Sequence, residues 1–143
     1  MNTNNFLLVE DDDSHAKLMM LVFEKNSLPV KINRVKDGES AIRYLRKENE
    51  FTTAKTPSAI LLDLNIPGID GLEVLKIIKG DEALRPIPVI ILTTSNSIVD
   101  KEKAYLHYAN SYLVKPIRAK DFQTMIASVE EYWGKWNTPP APR

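Results

Sequence analysis

Short apolar runs alternate with longer amphipathic segments along the chain. Four continuous runs lie at 6–9, 59–62, 88–92 and 112–114, and a weaker run with alternating polar and apolar residues lies at 30–35. Continuous apolar runs of this length are typical of strands that helices bury on both faces. The pattern therefore predicts five strands in one sheet with helices on both sides.

A helical pattern of apolar residues follows each of these runs. The predicted helices lie at 14–25, 39–47, 71–79, 99–108 and 120–136. Regular alternation of strands and helices indicates parallel strands joined by right-handed crossovers. We therefore predict the α/β class, as a single doubly wound domain with five helices around an open parallel sheet.

Composition narrows the class of protein. The chain has 143 residues, no Cys, and 19 basic against 19 acidic side chains. Zero formal charge gives no global attraction to nucleic acid or to an anionic membrane. No apolar run approaches the ~20 residues that cross a bilayer, and the N-terminus lacks the pattern of a secretion signal. We expect a cytoplasmic protein with one domain at 1–136 and a Pro-rich tail at 137–143.

Polar side chains follow four of the predicted strands. Glu10 and Asp11 follow the first strand, Asp63 the third, Thr93 the fourth and Lys115 the fifth. Ligands of open parallel sheets bind beyond the carboxyl ends of the strands. We therefore expect these side chains to meet at one edge of the sheet.

The chemistry of this set indicates phosphoryl transfer. Clustered carboxylates favour a hard divalent cation such as Mg²⁺. Lys115 can bind a phosphoryl oxygen as a point charge, and Thr93 can donate a hydrogen bond to another. Asp63 can then act as a nucleophile that forms an aspartyl phosphate.

Each of these residues also has a structural interpretation. Asp13 and Ser14 fit the cap of the first helix, Asp63 fits an Asx turn, and Lys115 fits a solvated strand end. Asp12 also competes as an outer-shell metal ligand. His15 fits a structural or surface position. Only the agreement of four strand ends favours the functional interpretation.

Four short sequence motifs support the functional interpretation of these residues. These are LLVEDD, LLDLNIPGIDG, VIILTTS and SYLVKP, which carry the polar residues named above at characteristic spacings. With them, the chain resembles the receiver domain of two-component response regulators over 6–132. The resemblance implies a flavodoxin-like sheet of strand order 2-1-3-4-5. It also implies a sensor histidine kinase as phosphoryl donor and a phosphoacceptor switch instead of an enzyme.

The resemblance assigns roles around the phosphoacceptor. It implies that Asp63 accepts the phosphoryl group and that Glu10 and Asp11 bind Mg²⁺. Asn65 is similar to the position whose backbone carbonyl also coordinates the metal. Lys115 is the implied ligand of the phosphoryl group.

The resemblance also implies a switch that changes protein contacts. Thr93 would shift towards the phosphoryl group, Tyr112 would be the aromatic switch residue, and Pro116 would follow a cis peptide bond. The moving surface would be formed by the fourth helix, fifth strand and fifth helix. No DNA-binding segment is expected after the receiver, so we expect a downstream protein target.

The last predicted helix is rich in aromatic residues. We predict an interface there, for a homodimer or a docked partner, formed by Phe122, Tyr132, Trp133 and Trp136. This aromatic end, the Pro-rich tail and the loop before the third strand are similar to those of stand-alone regulators that pair with cyanobacterial and bacterial phytochrome kinases.

Two other functions compete with a phosphoacceptor switch. Phosphatases of the haloacid dehalogenase type also use an Asp nucleophile, but they need a second acid where this chain has Asn65, a poorer proton carrier. A receiver fold that binds a partner without phosphorylation is the other alternative. The residues that phosphorylation needs are all present, which argues against it: Asp11, Asp63, Thr93 and Lys115.

Overall fold

Five strands form one parallel sheet in the computed structural model, which describes residues 4–26 and 28–140. The strands are β1 (Asn4–Val9), β2 (Val30–Val35), β3 (Ala59–Leu62), β4 (Val89–Thr93) and β5 (Ser111–Val114). Their order is β2-β1-β3-β4-β5, and all neighbours are parallel. The predicted α/β class and strand order are confirmed.

Five helices connect and follow the strands. They are α1 (Asp13–Lys25), α2 (Gly38–Arg46), α3 (Gly71–Gly80), α4 (Ile98–Leu106) and α5 (Ala119–Glu131). Side-chain oxygens of Asp12, Asp37, Asp70 and Ser97 cap the first four by accepting backbone N–H bonds. None of the described helices is both long and apolar enough to cross a membrane.

Alternation along the strands divides the core between the two faces of the sheet. In β1, Phe6 and Leu8 pack with residues of α1 and α5, whereas Leu7 and Val9 pack with α2 and α3. All four are at most 2% exposed. Because helices cover both faces, polar side chains from several strands can meet at the carboxyl edge.

The C-terminal helix differs from its prediction at its C-terminal end. It leaves regular α-helical geometry after Glu131 and continues as a π-helical turn at Tyr132–Trp136. Gly134 in this turn lies so close to β2 that an added Cβ would be 2.6 Å from Val30 Cγ2. A second unpredicted element is a short 3₁₀ turn at Asn49–Phe51.

The aromatic residues of this segment do not form one exposed surface. Phe122 is only 3% exposed and belongs to the core, so its assignment to an interface is wrong. Trp133 is half-buried against the same core cluster. Tyr132 and Trp136 are exposed. Residues 141–143 of the predicted tail lie outside the described residues.

Candidate functional site

Backbone hydrogen bonds extend the sheet past the ends of its strands. The Asp63 N–H donates to Val9 O at 3.1 Å, and the Glu10 N–H donates to Val35 O at 3.1 Å. The Lys115 N–H donates to the carbonyl oxygen of Thr93 at 2.7 Å. These bonds fix the points from which the polar side chains leave the sheet.

Three acidic side chains meet at this edge. Carboxylate oxygens of Glu10, Asp11 and Asp63, here called the carboxylate cluster, lie within 4.8 Å of one another. Lys115 Nζ donates to Asp63 Oδ2 at 3.0 Å and also to Glu10 Oε1. When all three carboxylates are ionised, they and the Lys115 ammonium carry a formal charge of −2, which a divalent cation would balance.

The donor set of the carboxylate cluster fits Mg²⁺. All three side chains offer oxygen, the ligand type that Mg²⁺ prefers. Glu10 and Asp63 are buried, whereas Asp11 is exposed, so one side of the cluster faces solvent. That openness suits a cation that usually keeps several of its water ligands.

Backbone N–H groups orient the side chains of Asp63 and Asp12. The Asn65 backbone N–H donates to Asp63 Oδ1 at 3.1 Å, which leaves Oδ2 for Lys115. Asp12 Oδ1 accepts bonds from the backbone N–H groups of Ser14 at 2.9 Å and His15 at 3.1 Å. These bonds lower the pKa of Asp12, and the bond from the His15 N–H has the largest effect. Asp12, not Asp13 or Ser14, is therefore the cap of α1.

Burial raises the pKa of Glu10 to about 7 from an ordinary 4.5, although Lys115 opposes the shift. Between these values the folded protein keeps a proton that the unfolded chain has released. The free energy of unfolding of the metal-free protein should therefore fall as pH rises through this window, by about 3 kcal/mol.

Urea unfolding at about pH 4.5 and pH 7.5 measures this pH dependence. The wild-type protein is compared with Glu10→Gln, which removes the titrating group and keeps the side-chain shape. The variant should lose less stability than the wild type over this interval. Equal losses in the two proteins would show that Glu10 does not titrate in this range.

The two predicted switch residues both contact Ser95. Thr93 is buried, and its Oγ1 accepts a bond from the Ser95 backbone N–H at 3.3 Å. The half-buried Tyr112 donates its hydroxyl to Ser95 O at 3.0 Å. Ser95 Oγ in turn donates to Asp100 Oδ2 of α4 at 2.6 Å. Ser95 thus connects both residues to α4.

The peptide bond before Pro116 contradicts the prediction. No cis peptide bond occurs in the described part of the chain, so the Lys115–Pro116 bond is trans. The trans form of an X–Pro bond is intrinsically favoured by about 0.5–1 kcal/mol.

The sequence interpretation missed His15 as a neighbour of the site. Its Nδ1 lies 3.0 Å from Lys115 Nζ and 3.9 Å from Glu10 Oε1. His15 lies in the first turn of α1, two residues after the acidic run at 10–13. Because that run ends at the carboxyl edge, the position of His15 was the available signal.

Comparisons with known proteins show the family to which the chain belongs. A model of the response regulator receiver domain matches residues 6–127. The chain belongs to this family. The receiver is 44% identical to the probable methanogenesis regulatory protein FilR2 of Methanothrix harundinacea, covering 95% of the chain and 87% of FilR2. It is 36% identical to the response regulator Rcp1 of Synechocystis, covering 94% and 92% of the two chains.

Solved structures resemble the receiver over nearly its whole length. The Mn²⁺-bound form of Rcp1 has a TM-score of 0.93 at 36% identity, covering 96% of this chain and 99% of Rcp1. The phosphorylated cyanobacterial phytochrome response regulator RcpA has a TM-score of 0.94 at 35% identity, covering 98% and 100%. Similar receivers therefore include one with a bound divalent metal and one that is phosphorylated.

Proposed function

We propose that this receiver accepts a phosphoryl group on Asp63 from the phosphohistidine of a sensor histidine kinase. In this transfer the P–N bond of the donor breaks and a P–O bond to Asp63 forms. The observation that carries the proposal is the 3.0 Å contact of Lys115 Nζ with Asp63 Oδ2 beside the acidic pair Glu10 and Asp11. We assign residues 1–136 to the receiver and 137–143 to a tail, and place the reaction in the cytoplasm.

The residues around Asp63 have separate roles in the transfer. Glu10, Asp11 and Asp63 would hold Mg²⁺, together with the backbone carbonyl of Asn65. When bound, the cation offsets negative charge on the transferring group. Lys115 donates to a phosphoryl oxygen, and it is already held beside Asp63 by a hydrogen bond to that carboxylate.

Thr93, Tyr112 and Ser95 connect this reaction to the surface. The phosphoryl group adds charge and acceptor oxygens at Asp63, and the Thr93 hydroxyl turns from the Ser95 N–H to donate to it. Tyr112 and α4 respond because both are bonded to Ser95. The same region carries apolar side chains that are at least 55% exposed, which we propose as the docking surface of a downstream protein: Ile98, Val99, Tyr105, Leu106, Tyr108 and Ile117.

Intact mass measurement tests the phosphoacceptor. The wild-type protein, Asp63→Asn and the control Asp121→Asn, at an exposed position in α5, are incubated with Mg²⁺ and acetyl phosphate. We expect one added phosphoryl group in the wild type and the control, and none in Asp63→Asn, because an amide is not a nucleophile of this kind. A phosphoryl group on Asp63→Asn contradicts the assignment.

The kinase partner is proposed from similarity. RcpA is a phytochrome response regulator, and this receiver is 35% identical to it over almost its whole length. We propose a phytochrome as the sensor kinase. The proposal is supported if phosphotransfer from a phytochrome kinase to Asp63 is faster than transfer from an unrelated histidine kinase.

We propose that the aromatic C-terminal turn joins two copies of the receiver. Tyr132 is 55% exposed and Trp136 is 64% exposed, and exposed aromatic residues often anchor interfaces. Sedimentation should show a dimer that Trp136→Ser weakens by at least about tenfold. Ile117→Ser, at another exposed apolar position, should leave the dimer intact. A wild-type monomer both before and after phosphorylation contradicts the proposal.

A further inference from the structure

Among the described residues, the Lys115 ammonium has three hydrogen-bond partners, and one of them is outside the carboxylate cluster. Its Nζ contacts Glu10 Oε1, Asp63 Oδ2 at 3.0 Å and His15 Nδ1 at 3.0 Å. An ammonium has three donors and no acceptor. His15 Nδ1 must therefore accept, which places the ring proton of a neutral His15 on Nε2.

The ring of His15 is held in position from the opposite side. It stacks at 41° against Phe122 of α5, with ring centroids 5.7 Å apart. Phe122 is 3% exposed and is part of the core. Only 34% of the His15 side chain is exposed. The acceptor atom that faces Lys115 is therefore attached to a supported ring.

His15 differs in kind from the other two partners of Lys115. Glu10 and Asp63 are the carboxylates that a cation would also use, and Asp63 is the proposed phosphoacceptor. Their bonds to Lys115 must rearrange when the ammonium donates to a phosphoryl oxygen. The bond to His15 can persist through that change. A lysine side chain has many rotamers, so one lasting bond restricts where its ammonium can be.

We propose that His15 is a positioning residue that keeps the Lys115 ammonium beside Asp63 during phosphoryl transfer. This inference rests on the proposed function of Asp63. It assigns His15 a role through Lys115 and no direct contact with the phosphoryl group or the metal.

Two variants distinguish the effect of the hydrogen-bond acceptor of His15 from the effect of its aromatic ring. His15→Asn places an amide oxygen near the position of Nδ1 but removes the ring. His15→Phe keeps a ring against Phe122 but has no acceptor. With acetyl phosphate and Mg²⁺, we expect His15→Phe to lower the maximal rate of phosphorylation about tenfold, with an unchanged half-saturating donor concentration. His15→Asn should stay within about twofold of the wild type, because it restores the bond.

Nitrogen NMR of the Lys115 ammonium measures the contact without phosphorylation. In metal-free protein, the wild type and His15→Asn should show an ammonium signal protected from exchange, assigned by its loss in Lys115→Arg. His15→Phe should lose that protection. If the wild type is not phosphorylated on Asp63, the proposed function fails, whereas this spectrum still tests the contact.

Three results would overturn the role of His15. The first is a phosphorylation rate of His15→Phe equal to that of the wild type. The second is a rate of His15→Asn as low as that of His15→Phe, which would assign the effect to the ring. The third is a protected Lys115 signal in His15→Phe together with weaker Mg²⁺ binding, measured by calorimetry. That result would make His15 a metal ligand.

Discussion

Replacing Lys115 with Ala should slow the phosphorylation of Asp63 by at least about a hundredfold. Lys115 is buried, with only 2% of its side chain exposed, and it donates to both Glu10 and Asp63. Its removal takes away the donor aimed at the transferring group. It also leaves the buried carboxylates of Glu10 and Asp63 without the ammonium that offsets their charge, which raises the free-energy cost of keeping both ionised.

The rate is measured by mass spectrometry over time with acetyl phosphate and Mg²⁺. Lys120→Ala removes an exposed ammonium from the start of α5 and serves as the control. It should react at the wild-type rate. If Lys115→Ala also reacts within about threefold of the wild type, the transfer does not depend on this ammonium.

Gly71→Ala should lower the free energy of unfolding by about 3 kcal/mol. Gly71 begins α3, and its N–H donates to Leu64 O at 2.9 Å, which closes the loop after Asp63. A Cβ at Gly71 would lie 2.4 Å from Asp63 O and 2.5 Å from Leu64 Cα. Both are backbone atoms, so no side-chain rotation relieves the contact and the loop itself must move.

Gly80→Ala is the matched control at the other end of α3. A Cβ there meets nothing within 4 Å, so Ala should leave stability unchanged or raise it by up to about 1 kcal/mol. Urea unfolding of both variants gives the two values. Equal stabilities for Gly71→Ala and Gly80→Ala would show that the loop after Asp63 tolerates displacement. In that case Gly71 does not fix the position of the phosphoacceptor.

The sheet could be predicted because its signal is local. Strands β2 and β3 have the predicted bounds. Each is a short segment rich in residues that favour strands, and polar or turn residues limit it at both ends. The carboxylate cluster followed from parallel topology, which places the residues after β1 and β3 at one edge. Both inferences need only the chain pattern and a general property of parallel sheets.

Other features depended on contacts between distant segments. Phe122 and Trp136 are both aromatic residues of the last predicted helix, yet the first is buried in a core cluster with α1 and the second is exposed. The change to π-helical geometry accompanies the close approach of Gly134 to Val30, which no local pattern indicates. His15 was missed because its partner Lys115 lies 100 residues away in the chain.

The identity of the phosphorylated residue tests the central claim most directly. Borohydride reduces an acyl phosphate to an alcohol, so phosphorylated protein should yield homoserine in place of one aspartate. Peptide sequencing of the reduced wild-type protein should find homoserine at position 63 and unchanged aspartate at positions 11, 12 and 13. Homoserine at any of those three positions, or its absence from position 63, would contradict the account.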